Sequence, residues 1–238
     1  MNKGVKGMKI KKIVSIVLFA AILLITMVGF TGSKEVPVAQ VDQVELTPVE
    51  FKEEEAFRIG DYQVGIDMFM LYAIDAIPGF VSEFGEDCWT QESIDLSWRI
   101  EAPQKAFILY LTDIISSAVA CDIYFSSTTG ELEDSIKAIC TDTAQERYES
   151  LLAAGMPEGI ISEESIYQYT CSTYRLSYVV DEISTTYDHD QESIRAAIMG
   201  MRDSIDTTFD YDRNINWNLV ESIDYSAATS IVGEGITE

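Results

Sequence analysis

An apolar stretch of twenty residues near the middle of the chain, 106–125, constrains the fold more than any other feature. It is hydrophobic almost all round, so as a helix it must be buried either in lipid, which it is long enough to cross, or in protein. Asp113 lies near its middle and Asp122 nearer its end, and a carboxylate at bilayer depth costs about 2.5–3.5 kcal/mol. Four polar side chains would instead share one narrow stripe wetted by solvent: Thr112, Asp113, Ser116 and Ser117. We therefore predict the central core helix of a helical domain, entered through Pro103, rather than a membrane span.

Amphipathic helices are predicted on both sides of this core helix. Apolar residues at three- and four-residue spacing predict a helix from Ile66 to Ile77, ended by Pro78-Gly79. Three further helices are predicted downstream: 131–154, a helix that begins after the N-cap Ser162 and has an apolar face as far as Ile183, and 191–208. Because only a short polar loop separates 131–154 from the core helix, these two are expected to be antiparallel neighbours.

Strand signals are confined to the start of the domain. Residues 57–64 have the pattern of a short strand, a turn at Gly60-Asp61 and a second short strand. No other segment has the runs of strand and turn that a large sheet needs. The predicted fold class is therefore mainly α, with a small N-terminal β-hairpin.

The N-terminus has the pattern of an export signal. A basic block at residues 9–12 precedes a mostly apolar run from Ile13 to Phe30. The positive flank favours a cytoplasmic N-terminus, which places everything after residue 33 outside. The run is long for a cleavable signal and short for a spanning helix, and no Ala-x-Ala follows it, so a signal peptide and a retained membrane anchor both stay open. The predicted location is extracytoplasmic, either membrane-anchored or secreted.

The chain is predicted to have four segments. Residues 1–33 are the signal or anchor, and 34–56, with two prolines and a run of glutamates, form a linker. Residues 57–187 form the helical domain, and 188–238 form a C-terminal helix and tail.

The strong negative charge argues against nucleic acid as a partner. All 40 acidic residues follow residue 34, whereas the chain has 16 basic residues and a net charge of −24. Such a body repels phosphate backbones and anionic headgroups, so binding to nucleic acid is not expected.

Three sequence features together resemble a known family. They are Gly60-Asp61-Tyr62 before an amphipathic helix, the aromatic-glycine motif from Phe84 to Trp89, and Gly159 to Glu164 before the last long helix. Their order resembles the N-terminal helical domain of SurA-like chaperones and PrsA-like foldases, which are extracytoplasmic and often carry a parvulin-type prolyl isomerase domain. The resemblance covers about 57–187. Cys88 replaces an aromatic residue of the motif, and 94–98 lacks the family's glycine and threonine spacing.

The resemblance implies binding of unfolded or exported polypeptides, in an apolar cleft between helices and without covalent chemistry. A parvulin site needs two facing histidines, whereas this chain has only His189, and the roughly fifty residues after Tyr187 are too few for a domain of about ninety. One alternative is a diverged prolyl isomerase in which 188–238 is the remnant of the catalytic domain. A second alternative is a calcium-responsive or structural cell-surface module.

Two acidic segments are candidate metal sites. Asp188-His189-Asp190 with Glu192 is interpreted as a solvated helix start, because adjacent residues do not converge on one ion. From Asp210 to Glu221, oxygen-bearing side chains occupy six positions of a calcium-loop template, but Ile215 stands where the loop needs glycine. The alternative is an Asp/Asn-rich turn leading into a short strand or helix at 217–220. We predict no catalytic, cofactor-binding or metal-binding residues.

Cysteines and aromatic residues are interpreted as structural. An even number of cysteines (Cys88, Cys121, Cys140 and Cys171) permits disulfides in an exported chain. Cys121 and Cys140 would be offset by about 6–7.5 Å along a helical hairpin, which favours buried free thiols there. The aromatic side chains assigned to packing are Trp89, Trp98, Tyr167, Tyr169, Tyr174 and Tyr178. The alternative is that they line a chaperone groove.

Overall fold

The computed structural model describes residues 49–156 and 161–225, and within these ranges the chain is mainly helical. Seven α-helices and two small antiparallel strand pairs occur in this part of the protein. The predicted fold class, mainly α with a small hairpin, is confirmed at this level. The expected signal or anchor at 1–33 and most of the linker lie outside the described residues. The specific likeness to a SurA-type domain stays a prediction.

The hairpin is present where the sequence predicts it. Strand β1 (Glu55–Ile59) pairs antiparallel with β2 (Tyr62–Gly65). β1 begins two residues earlier than the sequence predicts. The turn needs Gly60, which has a φ of +54° and donates its N–H to Asp206 Oδ2 at 3.2 Å.

The first helix, α1 (Ile66–Phe84), does not end at Pro78 as predicted but continues through it. Proline removes one backbone hydrogen bond from a helix. The turn after it is nevertheless held by Phe80, whose ring is 0% exposed and lies 4.7–5.4 Å, centroid to centroid, from a cluster of aromatic rings: Phe84, Trp89, Phe107 and Tyr110. Burial of this ring offsets the lost hydrogen bond.

The apolar stretch forms α2 (Pro103–Thr128), which lies in the core as predicted. Among the described residues it is the one helix long and apolar enough to cross a membrane, and 72% of that apolar window is buried in the protein. The prediction that its polar stripe is wetted was wrong, because Thr112 and Ser116 are 0% exposed and Ser117 only 4%. Their hydroxyls donate to carbonyl oxygens one turn earlier in the same helix, at 2.8–3.0 Å, so they can be buried without losing hydrogen bonds.

Two long helices follow, α3 (Asp134–Ala153) and α4 (Glu163–Thr186). The N-cap is Ser162, as predicted, since its hydroxyl accepts the N–H of Ser165 at 3.0 Å. The expectation that α3 packs beside α2 was wrong: α3 packs mainly against α4. Its buried residues are Cys140, Ala144 and Leu151.

The C-terminal part of the described chain returns to the hairpin. Helix α5 (Gln191–Ile205) ends three residues earlier than predicted and is followed by two one-turn helices, α6 (Tyr211–Asn214) and α7 (Trp217–Val220). The side chain of Asn214 donates to Arg58 O at 3.0 Å, and that of Asn216 donates to Glu55 O at 2.9 Å. Ile215 forms a bridge to Phe57 on the outer edge of β1.

A charged cluster joins α1, α3 and α4. Arg147 donates through both terminal nitrogens to the carboxylate of Asp75, at 2.7 and 3.0 Å, and Tyr169 donates its hydroxyl to the same carboxylate. The guanidinium carbon of Arg147 lies 4.9 Å from the centroid of the Tyr169 ring. The side chains of Arg147 and Asp75 are 21% and 20% exposed, so this pair is shielded from most of the screening that weakens surface ion pairs.

We expect Arg147→Met to lower the free energy of unfolding by about 2–4 kcal/mol, because it leaves the Asp75 carboxylate largely shielded from water with Tyr169 as its remaining donor. Urea denaturation followed by circular dichroism measures the change. Lys137→Met is the matched control, since Lys137 pairs with the exposed Glu131 and its loss should leave the midpoint unchanged. Equal midpoints for the two variants would contradict a stabilising role for the Arg147 cluster.

Candidate functional site

The candidate calcium segment, 210–221, forms two short helices that are hydrogen-bonded to the hairpin. Asp210 caps α6 by accepting the N–H groups of Asp212 and Arg213, and Asn214 and Asn216 are bonded to β1. The alternative of a turn leading into a short helix at 217–220 is confirmed. Within 49–156 and 161–225, no group of three or more histidine, cysteine, aspartate or glutamate side chains is arranged to hold a metal ion.

The segment around His189 is a helix start, as interpreted from the sequence. Asp190 is the N-cap of α5 and accepts the N–H of Ser193 at 2.9 Å. The Ser193 side chain, and after it this N–H, lower the pKa of the Asp190 carboxyl. His189 Nδ1 lies 2.6 Å from the hydroxyl of Ser184. Asp188 and His189 both have positive φ, which reverses the chain between α4 and α5.

One small cavity lies between α2, α4 and α5. Its volume is ≈ 10 Å³, just enough to hold a single water molecule, and its lining is partly apolar (Val180, Ile194, Ile198, Met199) and partly polar (Asp113, Ser117, Arg195). A second, open depression of ≈ 560 Å³ lies beside the hairpin. Its two arginines, Arg58 and Arg213, already donate to neighbouring protein groups. Neither is the apolar cleft between helices that the sequence predicts.

A second, smaller strand pair, which the sequence analysis did not predict, precedes α2. Strands β3 (Ile94–Asp95) and β4 (Ile100–Glu101) are antiparallel, and Leu96 N–H donates to Arg99 O at 3.0 Å. Ser97 and Trp98 therefore form a two-residue turn. Ser97 has a φ of +70°, at a position where such turns favour glycine, and its N–H is held by Asp95 Oδ1 at 2.7 Å.

This turn holds Trp98 at the surface. Trp98 is 40% exposed and Ile100, two residues further, is 66% exposed, the largest exposure among the exposed large apolar side chains of the described chain. The indole stacks on the ring of Tyr211, with centroids 5.1 Å apart and an interplanar angle of 28°. We call Trp98, Ile100 and Tyr211, together with the flanking basic residues Arg99 and Lys105, the Trp98 surface.

The rest of the Trp98 surface is held by charge pairs. Arg99 donates through both terminal nitrogens to Asp212 at 3.1 Å, and Glu101 lies between Arg99 and Lys105, within ion-pair distance of both. The ammonium of Lys105 lies 5.2 Å from the ring centroid of Trp217. These pairs fix two cations beside exposed apolar side chains on a strongly acidic protein.

The partly buried carboxylate of Asp113 supports Tyr211, the stacking partner of Trp98. Tyr211 donates its hydroxyl to Asp113 Oδ1 at 3.0 Å, and Arg202 of α5 donates to the same oxygen at 2.7 Å. Burial, reinforced by the Asp113 carboxylate, raises the pKa of Tyr211, so its hydroxyl stays protonated and remains a donor. The orientation of Tyr211, and with it the platform under Trp98, is therefore fixed from the core.

The aromatic residues that were all assigned to packing from the sequence fall into buried and exposed ones in the structure. Trp89 packs against Phe80 and Phe107, and Tyr169 is 1% exposed, so the structural interpretation is confirmed for both. Trp98 lies at the surface instead. The signal that would have identified it is the alternation of the buried Ile94 and Leu96 with polar residues, which is typical of a short strand.

Comparisons of the chain with protein-family models, with curated proteins and with solved structures find no match.

Because Trp98 is exposed and Trp89 is packed in the aromatic cluster, the two tryptophans should respond differently to truncation. We expect Trp98→Ala to lower the free energy of unfolding by about 1 kcal/mol, mainly from the lost stacking on Tyr211. Trp89→Ala should cost about 3–5 kcal/mol, since it leaves a cavity beside Phe80 and Phe107. Chemical denaturation of both variants checks this. A Trp98→Ala variant as unstable as Trp89→Ala would indicate that Trp98 is a core residue.

Proposed function

We propose that this protein is an extracytoplasmic, non-enzymatic module that binds unfolded or exported polypeptide segments, and that the Trp98 surface is where they bind. One observation carries the proposal: Trp98 and Ile100 are held outward by a turn with an unfavourable φ at Ser97. Backbone strain at an exposed apolar turn is common where a chain contacts a ligand. Tryptophan, tyrosine and arginine, all present here, are the residues that contribute most to protein interfaces.

The size of the surface favours weak, transient binding. Covering the exposed parts of Trp98 and Ile100 would remove roughly 200 Å² of apolar area from water, worth about 5 kcal/mol before the cost of association. This limits one such contact to roughly millimolar or weaker affinity unless neighbouring groups add to it. A protein that holds and releases segments of many sequences needs contacts of this kind.

Charge favours basic segments as clients. The net charge of −24 attracts cationic chains over several ångströms and repels acidic ones. Binding that depends on this field should weaken as salt shortens its range to about 8–10 Å.

The predicted export signal at 1–33 supports the extracytoplasmic part of the proposal. A basic block before an apolar run directs the following chain across a membrane. Exported chains emerge unfolded, so a binder of unfolded segments would meet its clients on that side. A cleaved and a retained signal are equally compatible with this role.

A peptide-binding experiment tests the proposal. Fluorescence anisotropy of labelled peptides should detect binding of an aromatic, basic peptide and weaker binding of the same peptide with acids in place of its bases. The double variant Trp98→Ala with Ile100→Ala should lower the affinity at least fivefold, because it removes the exposed apolar contact. Tyr187→Ala is the matched control, since Tyr187 is 44% exposed but lies at the end of α4, away from β3 and β4 in sequence.

Equal affinity in wild type and the double variant, or equal loss in Tyr187→Ala, would contradict binding at the Trp98 surface. A protease-coupled assay on a proline peptide separates the alternative enzyme function. Turnover above the uncatalysed rate that disappears in His189→Ala would overturn the non-enzymatic proposal in favour of a diverged prolyl isomerase.

A further inference from the structure

Two of the four cysteines meet between α3 and α4. Cys140 and Cys171 are 1% and 2% exposed, and their thiols lie beside each other, close enough that each shifts the pKa of the other. Both thiols are free in the structure. Cys140 does not meet Cys121 of α2, the partner considered from the sequence; because α3 packs on α4, its neighbour is Cys171.

The surroundings of this pair differ from those of the other two cysteines. The hydroxyl of Tyr167, one turn earlier in α4, lies beside Cys171, and the charge of Arg175 lies one turn later. The neighbouring Cys140 thiol, followed by these two groups, lowers the pKa of the Cys171 thiol despite its burial. Burial instead raises the pKa of Cys88, and with the adjacent Asp122 it raises that of Cys121 to about 12.

The two thiols lie close to the protein surface. Tyr167 is only partly buried and contacts Cys171, so the thiols lie one side chain beneath the surface. Helix α3 is attached by few buried side chains, which makes local opening at this junction easier than in the α2 core.

We infer that Cys140 and Cys171 form a redox-active dithiol that closes to a disulfide between α3 and α4. The oxidant is a small-molecule disulfide of the glutathione class. The Cys171 thiolate attacks one sulfur of that disulfide and releases one small thiol, which leaves a mixed disulfide on Cys171. Cys140 then attacks Cys171 Sγ, loses its proton to the second departing thiolate and completes the bond. Two protein thiols are oxidised, and one small disulfide is reduced to two thiols.

The disulfide would join α3 to α4 covalently. It closes a loop of roughly 30 residues, which in the chain-entropy model restricts the unfolded state enough to raise Tm by roughly 10 °C in a chain of this size. The inference does not rest on polypeptide binding, because the pair and the Trp98 surface lie on different elements.

The test uses the purified full chain in buffers of reduced and oxidised glutathione. After acid quenching and alkylation, peptide mapping by mass spectrometry should find a Cys140–Cys171 crosslink in the wild type under oxidised glutathione, lost on adding dithiothreitol. Cys88 and Cys121 should stay as alkylated thiols. A variant with Cys88→Ala and Cys121→Ala should form the same crosslink. The Tm of the wild type should be higher in the oxidised sample.

Single variants test the order of the two steps. Cys140→Ser should trap glutathione on Cys171, since no second thiol can displace it, whereas Cys171→Ser should leave Cys140 unmodified. Four free thiols in the wild type under oxidised glutathione, or a crosslink through Cys88 or Cys121, would overturn the inference without reliance on any variant. Glutathione trapped on Cys140 instead would overturn the assignment of Cys171 as the attacking thiol.

Discussion

The rest of the structure depends on how a helix that is apolar on nearly every side is covered by neighbouring helices that are themselves only partly apolar. Helix α2 is covered by α1, α4 and α5, yet α4 and α5 carry many polar side chains. Aspartate–arginine pairs complete the contacts where apolar residues run out. Asp113 of α2 pairs with Arg202 of α5, and Asp122 of α2 lies 3.5 Å from Arg175 of α4. Because each partner is shielded from water, removing one would leave the other charge uncompensated, so these pairs specify which helices meet.

Much of this architecture follows from local patterns. The hairpin, the core helix, the Ser162 cap and the helix start at Asp190 were predicted because each depends on residues a few positions apart. The errors occur where distant contacts decide the outcome. The helix continues through Pro78 because Phe80 meets rings from α2, and Asp113 in the polar stripe of α2 is paired with Arg202 from α5. No local pattern contains the sequence position of such a partner.

The candidate sites also differ in whether local sequence patterns or distant contacts determine them. The exposure of Trp98 depends on a two-residue turn that requires positive φ at a serine, where sequence statistics expect glycine. Cys140 and Cys171 lie side by side because α3 packs on α4 and not on α2, which the length of the connecting loop did not predict. By contrast, the acidic segments at 188–192 and 210–221 were recognisable as caps and turns, because capping is a local interaction.

The hydrogen bonds from Asn214 and Asn216 to β1 join residues 156 and 161 positions apart. A chain that is synthesised from its N-terminus presents this hairpin long before these asparagines emerge. During that interval the outer edge of β1 lacks its native partners and can pair with other extended chains. Closure of the fold is therefore a late event that must close a long loop, and truncation of the chain before Asn214 would leave this edge of β1 without its native partners.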